Sequence, residues 1–256
     1  MRVKIFTRSF DLRLYRLSAA LYEGIDCVQV VRLTDRTADG YFYTMLKDED
    51  CDIAINIDED AFITDPQAVN DLVRLMIEEG YANIGCSDAG SGLPRSGNPK
   101  VTNPFFNILN LRLIRSKFNM TDVRAYTEDY EPYYPFFLWM ADNFKTLYLP
   151  AHKHSDGIST ILLDLQDRRI CMHSWYARFY SMPDFIVRRI QKDQGMQKAR
   201  IDALISQAYG IRRMALPEFG AGDKAAFIAN KVIRWMIKVP QRISRWPGKI
   251  RKKLKK

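Results

Sequence analysis

The chain has few of the residues that staple or anchor a fold. Its four cysteines, Cys27, Cys51, Cys86 and Cys171, are scattered without a C-x-x-C spacing, and its three histidines, His152, His154 and His173, lack zinc-ligand spacing. A disulfide framework and a zinc module are therefore excluded. Three of the cysteines sit in apolar, strand-like contexts and read as buried free thiols in a reducing compartment. No apolar run is long enough to cross a bilayer, and Met1-Arg-Val-Lys-Ile-Phe6 leads straight into a strand pattern with no secretory hydrophobic stretch. Glycine is missing from Thr7 to Leu12, so no Gly-rich phosphate-cradling loop follows the first strand. Acidic residues vanish from the C-terminus: from Lys224 onward there are twelve Lys and Arg and no Asp or Glu. Taking those twelve from the net +9 leaves residues 1–223 near −3. The positive charge belongs to a tail, which argues against a general nucleic-acid binder.

What is present is organised around Cys51-Asp-Ile-Ala-Ile-Asn-Ile-Asp-Glu-Asp-Ala-Phe-Ile63. Ile53 to Ile57 is a continuous apolar run, as in a strand covered on both faces of its sheet. It stops at Asp58-Glu59-Asp60, which puts two carboxylates one residue apart at the carboxyl edge of a sheet, where open α/β folds keep their ligands. Hard oxygen ligands there suit Mg²⁺ or Mn²⁺, and such a cation suits a phosphorylated ligand. Thr64-Asp65-Pro66 then signals a helix start. Upstream, the pattern predicts a strand over Val3–Thr7, a helix over Asp11–Glu23 stopped by Gly24, a strand over Cys27–Leu33 and a helix near Tyr41–Lys47. That β-α-β-α-β order predicts a parallel sheet with helices on its faces. The length of 256 residues allows one sizeable α/β domain with an appendage.

This arrangement resembles the Asp-x-Asp signature of glycosyltransferases of the GT-A fold. The resemblance implies a Rossmann-like α/β catalytic domain over residues 1–223, with a mixed, mostly parallel sheet flanked by helices. It implies a divalent-metal-dependent hexosyltransferase that uses a nucleotide-diphospho-sugar, with a UDP-sugar as the expected donor, and Mn²⁺ or Mg²⁺. Asp60 is then the direct metal ligand, with Asp58 on the ribose or a bridging water as well as in the metal site. Thr7, Arg8 and Asp35 fall near base and ribose, His173 resembles the late histidine ligand of that family, and Arg178 is placed to clamp the departing diphosphate. Glu128, Asp129 and Glu131 precede an aromatic helix start, and an inverting enzyme would take its base from Asp129 or Glu131. Tyr130, Tyr133, Tyr134 and Trp139 offer a sugar-stacking platform. The Gly-, Ser- and Pro-rich segment 87–103 reads as a binding loop or lid.

Further along, the pattern predicts strands over Tyr81–Cys86, Phe105–Ile114 and Leu147–Pro150, a polar loop carrying His152, His154 and Asp156, a stretch Arg169–Met172 leading to His173, and a helix over Met182–Tyr209. Residues 224–256 form a basic amphipathic tail in which Ile228, Val232, Trp235, Met236 and Val239 share one helical face, with Pro240 and Pro247 as breaks. A Trp-bearing interfacial helix beside the polybasic end Lys249–Lys256 is the footprint expected for an anionic membrane surface. The expected acceptor is a glycan or a lipid-linked saccharide, as in surface-polysaccharide or lipopolysaccharide synthesis, at the inner face of a membrane in the cytoplasm. The alternatives are a nucleotidyltransferase, against which the glycine-free Thr7–Leu12 turn counts, and a non-catalytic membrane or nucleic-acid adaptor in which the acidic pair is incidental.

Overall fold

The computed structural model describes residues 1–34, 39–90, 92–127, 130–177, 180 and 197–233. Asp35, Glu128, Asp129 and Arg178 lie outside the described residues, as do the first part of the helix predicted from Met182 and everything after residue 233.

The opening runs β1 (Val3–Arg8), α1 (Leu12–Ala20), β2 (Gln29–Leu33), α2 (Gly40–Lys47) and β3 (Ile53–Ile57), in the predicted alternation. β1 lies between β2 and β3 and is parallel to both. Side chains alternate across a strand: Ile53, Ile55 and Ile57 enter one hydrophobic cluster, while Ala54 enters the cluster on the other face. That double coverage is why β3 is buried along its whole length and reads as an unbroken apolar run. The chain continues through β4 (Ala61–Ile63), α3 (Pro66–Glu79), β5 (Asn83–Ser87), β6 (Thr102–Asn110), α4 (Leu111–Arg115), α5 (Met120–Arg124), α6 (Tyr134–Asn143) and β7 (Thr146–Leu149). The central sheet has the order β2-β1-β3-β6-β5-β7. Only β6 opposes its neighbours, so the sheet is mixed and mostly parallel, with helices packed on it.

Local chemistry sets the boundaries. Asp65 accepts the N–H of Ala68 at 3.0 Å and Pro66 opens α3, as the sequence predicts, and Gly80 closes it at φ 68°. The strand expected over Phe105–Ile114 ends four residues early. Asn110 turns the chain by accepting the N–H of Leu113 at 3.0 Å, and residues 111–115 form α4 instead. A side-chain cap decides this, and the apolar run of Leu111, Leu113 and Ile114 conceals it.

A second sheet decides where the site lies. β8 (Ala151–Lys153), β9 (Thr160–Leu163) and β10 (Arg169–His173) join β4 in the antiparallel order β4-β10-β9-β8. His152 is thus on a strand, where the sequence predicts a loop. β10 pairs His173 with Ala61, immediately after the acidic turn. The helix α7 (Gln197–Arg212) buries Ile201, Leu204, Ile205 and Tyr209 in the larger cluster. Residues 221–233 are also helical.

Candidate active site

Asp58-Glu59-Asp60 is the crossing between the two sheets. Its backbone is held on both sides: Asp58 N–H donates to Phe105 O at 2.9 Å, and Ser174 N–H donates to Asp60 O at 2.9 Å. All three side chains are buried at the floor of a cleft of about 480 Å³. The Asp58 Oδ2 faces Arg8 Nη2 at 3.3 Å, and the Asp60 Oδ1 faces His173 Nε2 at 3.2 Å. Ser174 Oγ donates to Asp60 Oδ2 at 3.3 Å. Glu59 turns away from this pairing and accepts the N–H groups of Phe10 and Asp11 at 2.9 and 2.8 Å, joining the acidic turn to the entry of α1.

The three carboxyls are pushed in different directions. Burial raises Asp58 above its ordinary value, against the pull of Arg8. Burial acts on Asp60 in the same direction, but the charge and hydrogen bond of His173, with Arg8 and Ser174 adding to them, overcome it and hold Asp60 low. Glu59 is raised to about 8 by burial, although the Asp11 N–H and the Ser9 hydroxyl oppose the shift. Neighbouring acids with separated affinities for the proton are a mark of functional sites. Two polar atoms on this floor, Asp58 Oδ1 and His173 Nδ1, are buried without a hydrogen-bond partner.

Residues 173–176 shape the wall above Asp60. His173 stacks on Phe105 with ring centroids 4.4 Å apart and meets Trp175 at 4.5 Å. Trp175 and Tyr176 both adopt the left-handed region, at φ 57° and 61°. Bulky residues pay for that conformation, and such strain collects at ligand sites. Trp175 Nε1 donates to Thr160 Oγ1 at 2.8 Å, which anchors the strained pair to β9.

The opposite wall rests on a network that the sequence analysis does not single out. Asp88, at the carboxyl end of β5, is fully buried and takes a forked contact from Arg95 Nε and Nη2 at 3.1 and 2.9 Å. Asn103 and Tyr134 donate to the same carboxylate. Arg95 also donates to Glu131 Oε1 at 2.8 Å and to the Tyr133 hydroxyl, and its guanidinium lies 5.5 Å from the Trp175 ring centre. The segment read as a binding loop or lid supplies Pro94 and Arg95 to the lining of the cleft. A partial signal for Asp88 exists: like Asp58, it is an acid at the carboxyl end of a strand.

Arg8, Asp58, Asp60, Glu131 and His173 come together in this one cleft. Thr7 does not join them: it is fully buried and its hydroxyl pairs with Tyr22 at 2.9 Å, so its side chain offers nothing to a nucleotide. Its alternate position on β1 turns it inward while Arg8 turns to the cleft. The aromatic platform divides likewise. Tyr133 lines the cleft, Tyr130 is exposed, and Tyr134 and Trp139 belong to the second hydrophobic cluster, where Trp139 packs against Phe118, Phe136 and Phe144. His154 pairs with Gln207 of α7. Asp35, Glu128, Asp129 and Arg178, named in the sequence analysis, are outside the described residues. Among the described residues, no three His, Cys, Asp or Glu side chains are grouped to hold a metal ion by themselves. The acidic pair with its unpartnered Asp58 Oδ1 fits instead the sparse protein ligation of Mg²⁺ or Mn²⁺, in which one or two carboxylates suffice when ligand phosphates and water complete the shell.

No protein-family model matches the chain, and no curated protein matches its sequence. Among solved structures it is similar to A197 from STIV, at 16% identity over 66% of this chain and 93% of that one, with a TM-score of 0.39. It is similar to a glycosyltransferase involved in glycosylating the major capsid of PBCV-1, at 12% identity over 58% and 81%, with a TM-score of 0.35. It is also similar to the mannosyltransferase PcManGT from Pyrobaculum calidifontis, determined with GDP-Man and Mn²⁺, at 11% identity over 91% and 80%, with a TM-score of 0.41. Similarity this loose transfers neither a residue role nor an activity.

Proposed function

We propose that this chain is a glycosyltransferase that moves a sugar from a nucleotide-diphospho-sugar to a glycan or lipid-linked acceptor. The observation that carries the reading is the buried acidic turn at the carboxyl end of β3, flooring a cleft whose walls bring an arginine, a histidine and a further carboxylate to the same space. Asp60, with Asp58, would hold Mn²⁺ or Mg²⁺, and the cation would neutralise charge developing on the leaving diphosphate. Arg8, whose guanidinium pairs with Asp58, would add positive charge beside the bound nucleotide. His173 holds Asp60 in place through Nε2. Glu131 is a candidate to take the acceptor hydroxyl proton onto a carboxylate oxygen, with Arg95 fixing its position. Trp175 and Tyr133 both line the cleft and are aromatic side chains of the kind that sugars pack against.

The test is release of nucleoside diphosphate from a panel of nucleotide-sugars, with and without Mn²⁺. Activity on one donor should fall at least about a hundredfold in Asp60→Ala, with the fold retained by circular dichroism. Equal rates in the two proteins would remove the assignment of this turn. A nucleoside diphosphate that raises the thermal midpoint only when Mn²⁺ is present would support the donor site independently of turnover.

A further inference from the structure

The helical residues 221–233 have two unlike faces, and the structure shows which one the body uses. Asp223, Phe227 and Asn230, spaced i, i+4 and i+7, share a face at about 100° per residue. All three engage α1: Asp223 pairs with Arg16, Phe227 is buried beneath the Arg16 guanidinium at 5.3 Å, and Asn230 Oδ1 accepts the Leu12 N–H at 3.3 Å. The opposite face holds Ala221, Ala225, Ile228 and Val232, spaced i, i+4, i+7 and i+11, all exposed. Ile228 is 63% and Val232 49% accessible, which rules out a core role for the stripe. Lys224 and Lys231 are also exposed on this helix. The sequence beyond continues the same apolar spacing with Trp235, Met236 and Val239, and adds ten Lys and Arg without one acid.

We infer that this outer face is a docking surface for an anionic lipid bilayer. An apolar stripe flanked by cations matches an interface where acyl chains lie just beneath acidic headgroups. A nucleic acid would use the cations and leave the stripe wet. A second copy of the chain would bring two tails of twelve cations each against one another. The inner face grips Leu12 and Arg16 of α1, and the residues just before Leu12, Phe10 and Asp11, donate to Glu59 of the acidic turn. The inference does not need the glycosyl-transfer reading.

The experiment is flotation of the full chain with phosphatidylcholine vesicles, with and without phosphatidylglycerol. Binding should require phosphatidylglycerol, and the double variant Ile228→Ser/Val232→Ser should weaken it about tenfold or more. Both positions are exposed, so the thermal midpoint and any turnover of soluble nucleotide-sugar should stay unchanged in the variant. A second variant with Lys and Arg of 249–256 changed to Gln should also lose binding. Equal binding by Ile228→Ser/Val232→Ser overturns the proposal, as does equal binding to neutral vesicles. Retention on an RNA or DNA resin, unaffected by the double variant and unaccompanied by vesicle binding, would assign the tail to nucleic acid instead. Failure of sugar transfer with intact vesicle binding would count against the preceding functional reading and leave this one standing.

Discussion

Arg95 carries more of the cleft than any side chain chosen from the sequence alone. It compensates the buried Asp88 and fixes Glu131 and Tyr133, and its guanidinium approaches the Trp175 ring. Removing one partner of a buried ion pair strands the other charge, a loss larger than the pair's own net contribution. Arg95→Met should therefore cost about 3 kcal/mol, the lower end of that range because Asn103 and Tyr134 still serve Asp88. Urea denaturation checks this, and a cost below about 1 kcal/mol would mean that Asp88 is satisfied without Arg95. At this scale the sequence was only partly legible. Asp58, Asp60 and Arg8 were found because β3 and β1 end visibly. Asp88 follows a strand that is less plainly apolar, its partner lies in a segment without periodicity, and nothing local says that the loop folds back seven residues later. Thr7 lies in the core for a related reason. Adjacent residues at a strand end point to opposite faces, and which of the two meets the cleft depends on how the sheet is covered.

Among the elements, the β8–β9 hairpin and α7 show how one acid joins two pieces. Asp156 accepts the N–H groups of Ile158 and Ser159 at 2.9 and 2.7 Å and the Ser159 hydroxyl at 2.6 Å, and faces Arg200 of α7 at 3.4 Å. Burial works to raise this carboxyl, but the hydrogen bonds and Arg200 prevail and bring it down to about 2 from 3.8. A lowered folded-state value means that the unfolded chain takes up protons first as pH falls. The stabilisation is complete above 3.8 and disappears as pH drops through about 2. Asp156→Asn should accordingly lose about 1 kcal/mol at neutral pH, with the gap closing as pH falls through that window. Denaturation measured from pH 7 to pH 2 reads it directly, and a gap that stays constant would contradict the assignment. Element types from β1 to β3, and α3, were legible because period and caps agree, whereas the short β4 carries no such signal. The strand predicted through Ile114 was not, because the Asn110 cap competes with an apolar pattern that suits either helix or strand.

For the molecule as a whole, charge is divided by position: a near-neutral body and a cationic end. Residues 234–256 hold ten of the Lys and Arg, so their removal takes the net charge from +9 to about −1. The helix 221–233 is fastened through Asp223, Phe227 and Asn230, all upstream of such a cut. A chain ending at residue 233 should keep its thermal midpoint within about 2 °C while losing adsorption to phosphatidylglycerol vesicles. A fall of several degrees in calorimetry would show that the tail packs on the body. In the intact chain, adsorption should weaken steeply as salt shortens the screening length.

The amino-acid sequence by itself determined the alternation of elements, the buried third strand, the acid pair at its end and the separate basic tail. These depend on periods, caps and local charge, which a short window contains. Tertiary structure alone decided that β10 lies beside β4 and brings His173 to Asp60, that Arg95 reaches back to Asp88, and that the stripe of Ile228 and Val232 faces outward. Each of these joins or separates surfaces from distant parts of the chain. Their outcome rests on which faces the packed core leaves uncovered, a property of the whole arrangement.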